Sequence, residues 1–175
     1  MSVELIPARR ENLEMIWKMQ VEAFSELLEK YQDYDMSPAA EPLDKIVARF
    51  EQPWTTYYFI VAEEKKEELD PICAMGARFE TNQSETVGVI RVVDKKDGSR
   101  KRISPIWIMP EFRGRGYAQQ AILAAEAIYG EDNWSLDTIL QEKGNLHLYE
   151  KLGYRRTGKI EHINERMDIV FFEKG

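Results

Sequence analysis

The chain has 175 residues, 43% of them hydrophobic and 31% charged, which is enough for one domain with a real core and too little for two. Its formal charge of −7 excludes a general nucleic-acid binder, which needs a surplus of Lys and Arg to displace counterions. A single cysteine, Cys73, excludes a disulfide framework and a cysteine-rich metal site.

From the N-terminus, "VELIPAR" reads as a short strand, and Leu13, Ile16, Trp17, Ala23, Phe24 and Leu27 then recur at helical spacing. The opening residues lack the apolar core of a signal peptide and no later run reaches membrane-spanning length, so a cytoplasmic protein without a membrane partner is expected. "KYQDYDMSPAAEP" breaks the helical pattern with two prolines, and "LDKIVARFEQ" predicts a second short helix. "TTYYFIVAE" predicts a strand, and the following "EEKKEELD" reads as a solvated turn. "PICAMGARFE" fits either a strand or a buried helical turn. "ETVGVIRVVD" and "RKRISPIWIM" predict antiparallel strands joined at Asp97-Gly98. Ala118, Ala121, Ile122, Ala125, Ile128 and Tyr129 mark the buried stripe of a helix that Gly130 ends. "WSLDTIL" is a further strand, "NLHLYEKLGY" a short helix, and "RRTGKIEHI" with "MDIVFFEK" a final hairpin across "NER". The order β-α-α-β-β-β-α-β-α-β-β gives a single α/β domain over residues 1–175, built on a mixed sheet.

The most informative stretch is "PIWIMPEFRGRGYAQQ", residues 105–120, where an apolar strand leads through two arginines and two glycines into a helix. A Rossmann fingerprint needs a glycine where Gln119 stands, and a Walker-type phosphate loop needs Ser or Thr after Gly158-Lys159, where Ile160 stands. What remains is a turn in which Gly114 and Gly116 let backbone approach a ligand, ahead of a helix N-terminus that favours an anion, with Arg113 and Arg115 adding mobile charge. A pyrophosphate joining two larger groups fits such a place.

"RGRGYA" resembles the Arg/Gln-x-x-Gly-x-Gly/Ala signature of the GNAT N-acetyltransferases, with Arg113, Gly116 and Ala118 at its fixed positions, and "LYEKLGY", residues 148–154, is similar to that family's second hallmark. The resemblance implies a largely antiparallel sheet with splayed central strands flanked by helices. It implies acetyl-CoA as co-substrate, its pyrophosphate on the turn formed by Arg113, Gly114, Arg115, Gly116, Tyr117 and Ala118, and its pantetheine arm along Ile106, Trp107 and Ile108. Tyr149 falls where members often place a general acid that protonates the departing thiolate, and a phenol is protonated at pH 7. Many members carry an asparagine about seven residues before that tyrosine. Here Glu142 stands there, a candidate general base, and Asn145 lies one helical turn before Tyr149 as a candidate pantetheine contact.

The acceptor pocket is expected beside the first loop, with Tyr31, Asp33 and Tyr34 as candidate substrate-binding residues and Glu29 and Asp35 adding negative charge. That composition points to a cationic primary amine of a small molecule. A peptide or protein amine is the alternative acceptor, and a non-catalytic acyl-CoA-binding or sensing domain, or a domain gripping another anion, is the alternative function. Neither His147 nor His162 has a ligand partner at useful spacing, so no metal is expected, and the aromatic last hairpin makes a homodimer an open possibility.

Overall fold

The computed structural model describes residues 2–69 and 78–175. Its elements in chain order are β1 (Ser2–Pro7), α1 (Leu13–Tyr31), α2 (Leu43–Phe50), β2 (Thr55–Leu69), β3 (Arg78–Val93), β4 (Lys101–Ile108), α3 (Tyr117–Tyr129), β5 (Trp134–Ile139), α4 (Lys143–Lys151), β6 (Arg155–Asn164) and β7 (Met167–Lys174). The element order expected from the sequence is the one observed. The strands form one seven-stranded sheet in the order β1-β2-β3-β4-β5-β7-β6, antiparallel except where β4 meets β5.

One expectation is corrected. The Lys/Glu run is not a turn, because β2 continues in register with β3 to Leu69, opposite Arg78. Ladder bonds join backbone groups, so a run of charged residues does not by itself end a strand. The segment over which strand and helix were both open falls largely on residues 70–77, with Cys73, outside the described residues.

Period-two alternation sends each central strand to two cores. Tyr57, Val89 and Trp107 face α1 and α2, where they meet Leu13, Ile16, Ala23 and Ile46. Their neighbours Tyr58, Ile90 and Ile108 face Ala121, Ile122 and Ala125 of α3. Polar ties hold α3 in place. Tyr58 and Tyr129 share a 2.6 Å hydroxyl contact, and the buried Glu126 receives Lys174 Nζ at 2.8 Å and the Tyr154 hydroxyl at 3.0 Å. No helix among the described residues is long and apolar enough to cross a membrane.

The sheet is weakest at its centre. β4 pairs with β5 only at Lys101↔Trp134 and Arg102↔Ser135, whereas β5 runs on beside β7 from Trp134 to Ile139. β4 bulges against β3 between Ile103 and Ile106, where Pro105 offers the ladder no donor. Beyond Arg102 the two strands diverge, and a wedge opens between them. On its other side β4 lies so close to β3 that a Cβ at Gly88 would collide with the Trp107 carbonyl oxygen. Gly88→Ala therefore destabilises the protein by about 1–3 kcal/mol, the usual cost of forcing volume into a packed site, read as a lower midpoint in urea unfolding.

Candidate active site

The wedge exposes a strand edge. The Met109 amide donates to Val87 O at 2.8 Å, so ladder alternation turns the backbone groups of Trp107 toward β3 and those of Ile106 and Ile108 into the wedge. There they have no strand partner, since β5 has already departed. The Ile108 carbonyl is taken by Arg113 Nε at 3.0 Å.

Past β4 the chain turns through residues 113–116 and enters α3. Gly114 and Gly116 hold φ of 78° and 81°, left-handed values that only glycine adopts without cost. A Cβ at either position would meet open space, so backbone conformation, not crowding, calls for glycine. The amides from Gly114 through Gln119 find no backbone acceptor, and those in the first turn of α3 are the donors that a helix start leaves unbonded. With the positive end of the α3 dipole they make a cradle for an anion.

The two arginines differ. Arg113 is not mobile charge: besides Ile108 O it donates to Ala23 O of α1 at 2.8 Å, with Glu26 at 3.9 Å. It braces the turn against α1. Arg115 is exposed, lies over the Phe112 ring at 5.8 Å, and does not line the cradle. Tyr117 is buried beneath the turn and donates to Glu64 Oε1 at 3.1 Å.

On α4, Asn145 and Tyr149 stand one turn apart on the face toward the wedge. Asn145 Nδ2 donates to Thr138 Oγ1 on β5 at 3.2 Å. The Tyr149 ring packs against Phe172 and Tyr154, with centroids at 5.8 and 6.3 Å. Burial, helped by the charge of Asp137, pushes its phenol up to about 12.

Two pockets open on these residues. One, of about 590 Å³, is lined by Ile106, Trp107, Ile108, the cradle at Gly114 and Gly116 to Gln119, and Leu148. The other, of about 560 Å³, lies toward the α1–α2 loop and the last hairpin. Phe24, Leu27, Ile106, Asn145 and Tyr149 border both, so the pockets meet at the wedge. Glu142 belongs to the cradle-side pocket, where its carboxylate is tied to Lys30 Nζ at 3.2 Å, and it does not border the second.

The expected acceptor residues divide. Asp33 and Asp35 line the second pocket, but Tyr31 is buried in a small cluster with Met167 and Ile169, and Tyr34 points to solvent. Asp33 is 8% exposed, has no cation in ion-pair range among the described residues, and burial raises its carboxyl above the usual range. The expectation of an acidic pocket is corrected by residues far away in sequence. Asp33, Asp35, Glu41, Asp137 and Glu161 are balanced by Lys45, Arg49, Arg91, Arg102 and Lys159. Glu41 receives Arg49 at 2.7 and 2.8 Å, which holds its carboxyl below the usual range although burial alone would raise it. Asp137 receives Arg102 at 2.5 Å. Sequence reading missed Arg91, whose signal was a lone charge inside the apolar run "VGVIRVV". No cluster of His, Cys, Asp and Glu among the described residues has a metal-holding arrangement.

The sequence profile of the Acetyltransferase (GNAT) family matches residues 18–154, a span that contains the wedge, the cradle and Tyr149. The chain belongs to the GNAT acetyltransferase family. It is an acetyl-CoA-dependent N-acetyltransferase. A search of curated proteins finds no match, whereas solved GNAT structures share the fold over nearly the whole chain. The spermidine N-acetyltransferase of Vibrio cholerae, in complex with CoA and spermine, is 18% identical with a TM-score of 0.65, covering 98% of this chain and 94% of its own. The ribosomal alpha-N-protein acetyltransferase RimL with coenzyme A is 12% identical (TM-score 0.65, 98% and 93% covered). The microcin self-immunity acetyltransferase MccE with acetyl-CoA and AMP is 15% identical (TM-score 0.63, 98% and 91% covered).

Because only a guanidinium fork reaches both Ile108 O and Ala23 O, Arg113→Lys weakens CoA binding by about tenfold, nearly as much as Arg113→Ala. Isothermal titration of the two variants checks this. Full affinity in Arg113→Lys would show that charge alone suffices.

Proposed function

We propose that this N-acetyltransferase acts on a primary amine of a small molecule, by direct attack on the thioester of acetyl-CoA without a covalent enzyme intermediate. The observation that carries the reading is the meeting of the two pockets at Ile106, Asn145 and Tyr149. The cradle amides and the α3 N-terminus would hold the pyrophosphate, and the Ile106 backbone groups with the Ile108 amide would pair with the pantetheine arm. That delivers the acetyl group to the junction. The acceptor enters from the other pocket, whose volume of about 560 Å³ suits a small ligand.

The neutral amine nitrogen attacks the acetyl carbon, and the developing oxyanion is stabilised by a backbone N–H of β4. The C–S bond then breaks as Tyr149 gives its phenolic proton to the departing sulfur, and the proton shed by the attacking nitrogen passes to solvent, from which the phenol is restored. Glu142 is poorly placed as base, because it opens on the CoA side and is spent on Lys30. We assign it to holding α1 against α4. Asp33 is better placed to bind the incoming ammonium form and take up its extra proton, since its raised carboxyl is the more basic for it.

Tyr149→Phe lowers kcat by about 100-fold or more while leaving CoA affinity unchanged. Because the phenol is shifted upward, to about 12, its protonated form persists through neutral and mildly alkaline pH. The wild-type rate therefore shows no descending limb assigned to Tyr149 below about pH 10, the unperturbed value. Such a limb, present in wild type and absent in Tyr149→Phe, would refute the assignment. Asp33→Asn raises the KM for the amine by about tenfold with little change in the KM for acetyl-CoA, in a thiol-release assay.

A further inference from the structure

Three guanidinium groups border the acceptor pocket, and two are already neutralised. Arg49 is gripped by Glu41 and Arg102 by Asp137. Arg91 is different. It projects from β3 opposite the β4 bulge, is only partly exposed, and has no carboxylate in ion-pair range among the described residues. Its side chain's one hydrogen bond among the described residues is from Nε to the Ser104 carbonyl, which leaves both terminal nitrogens without an acceptor among them. Burial and the neighbouring charges of Arg49 and Arg102 act against its own charge, lowering it to about 10 although Tyr57 and Glu41 favour it. A desolvated cation with two unspent donors facing a pocket is a costly arrangement unless an anion arrives there.

Building on the N-acetyltransferase reading, we infer that the acceptor amine carries an oxyanion, a carboxylate or a phosphomonoester, and that Arg91 binds it through its terminal nitrogens. The same pocket holds, in Asp33, a nearly buried carboxylate without a cation in ion-pair range among the described residues. Of the pocket's charges that are not exposed, these are the two without an ion-pair partner among the described residues, and they are of opposite sign, matching the two ends of an amino acid or amino phosphate and not the uniform charge of a polyamine. Position limits the acceptor's length. Arg91 is anchored at Ser104, two residues along β4 from Ile106 at the junction, a strand distance of about 7 Å. The oxyanion is therefore held within a few bonds of the reacting amine. A guanidinium also binds such a group in the plane of its fork, which a lysine cannot reproduce.

Holding the bulge is the competing role for Arg91, and it needs only a neutral donor. The two roles separate in a comparison of matched acceptors on wild type, Arg91→Met and Arg91→Lys, each shown to be folded by thermal unfolding. The probes are a primary alkylamine, the same amine bearing a terminal carboxylate, the same amine bearing a terminal phosphate, and spermidine. Equilibrium binding of each is measured calorimetrically with CoA present, alongside thiol release with acetyl-CoA.

The expected result is that wild type binds a carboxylate or phosphate amine at least tenfold more tightly than the plain alkylamine and spermidine. Arg91→Met abolishes that preference with little effect on the plain amine, and Arg91→Lys restores only part of it. The carboxylate and phosphate arms identify the anion. Preference for spermidine or the plain amine, or an equal loss on all probes in both variants, would overturn the inference and mark Arg91 as a prop of the bulge. Selective binding of an acidic amine without thiol release from any probe would uphold the anion site while defeating the catalytic reading. Turnover of the probes with the acidic amines bound no more tightly than the plain amine in wild type would do the reverse.

Discussion

Every functional feature of this protein follows from the early parting of two strands. β4 and β5 share only two paired residues before they diverge, so the middle of an otherwise continuous sheet is opened on purpose. An exposed edge normally invites another strand. Here it is guarded by its position inside the molecule, with α1 on one side and α4 on the other, so only something as slender as an extended chain can reach it. The parting also solves a problem of access, since a buried sheet centre would otherwise offer a co-substrate and an acceptor no common meeting place. Divergence alone would leave a floppy cleft, and it does not here because β5 stays fully paired with β7 and because Gly88 lets β3 lie hard against β4. The wedge has one rigid wall from each half of the sheet.

Electrostatics divides the two pockets as clearly as geometry does. On the cradle side, charge is handled by backbone: unbonded amides and a helix end present a diffuse positive field, while the nearest arginine side chain is used as a brace. On the acceptor side, charge is handled by side chains, and most of it is cancelled internally. Glu41 with Arg49, and Asp137 with Arg102, fix wall positions and leave little net field. A pocket that neutralises most of its own charges makes the few uncancelled ones more discriminating, because a low-dielectric wall magnifies each of them.

The sequence was most legible where local rules dominate. Helix starts, the Asp97-Gly98 turn and the glycines of the cradle are short-range signals, and each element they predicted is present. The family signature pointed to the cradle for the same reason, as one contiguous stretch. The acceptor side could not be read this way. Its walls come from α1, β3, β4, β5 and the last hairpin, so its charge balance depends on residues as far apart as Asp33 and Glu161, and a loop rich in Asp and Tyr gave the wrong impression of the whole. Tyr31 and Tyr34 illustrate the difficulty: three residues apart at a helix end, they point in different directions, one into a core cluster and one to solvent. The polar run at 63–69 misled in another way, since hydropathy does not report on the backbone pairing that carries β2 on beside β3.

α1 touches both walls of the wedge. Its Ala23 carbonyl is held by Arg113 beside β4, and Lys30, seven residues on, is held by Glu142 at the start of α4. Its last carbonyls are fastened as well, Tyr31 O by Asn164 and Lys30 O by Arg166 of the final hairpin. The span between the two anchors is two helical turns, about 10 Å. The helix therefore works as a gauge block: the width of the opening is set by a count of residues and not by the softness of the surrounding loops. Inserting or deleting one residue between the anchors would change that width by a single rise and swing one anchor by about 100° around the axis. Evolution can reshape the loops bordering the acceptor pocket freely, but between Ala23 and Lys30 the chain length itself is part of the tool.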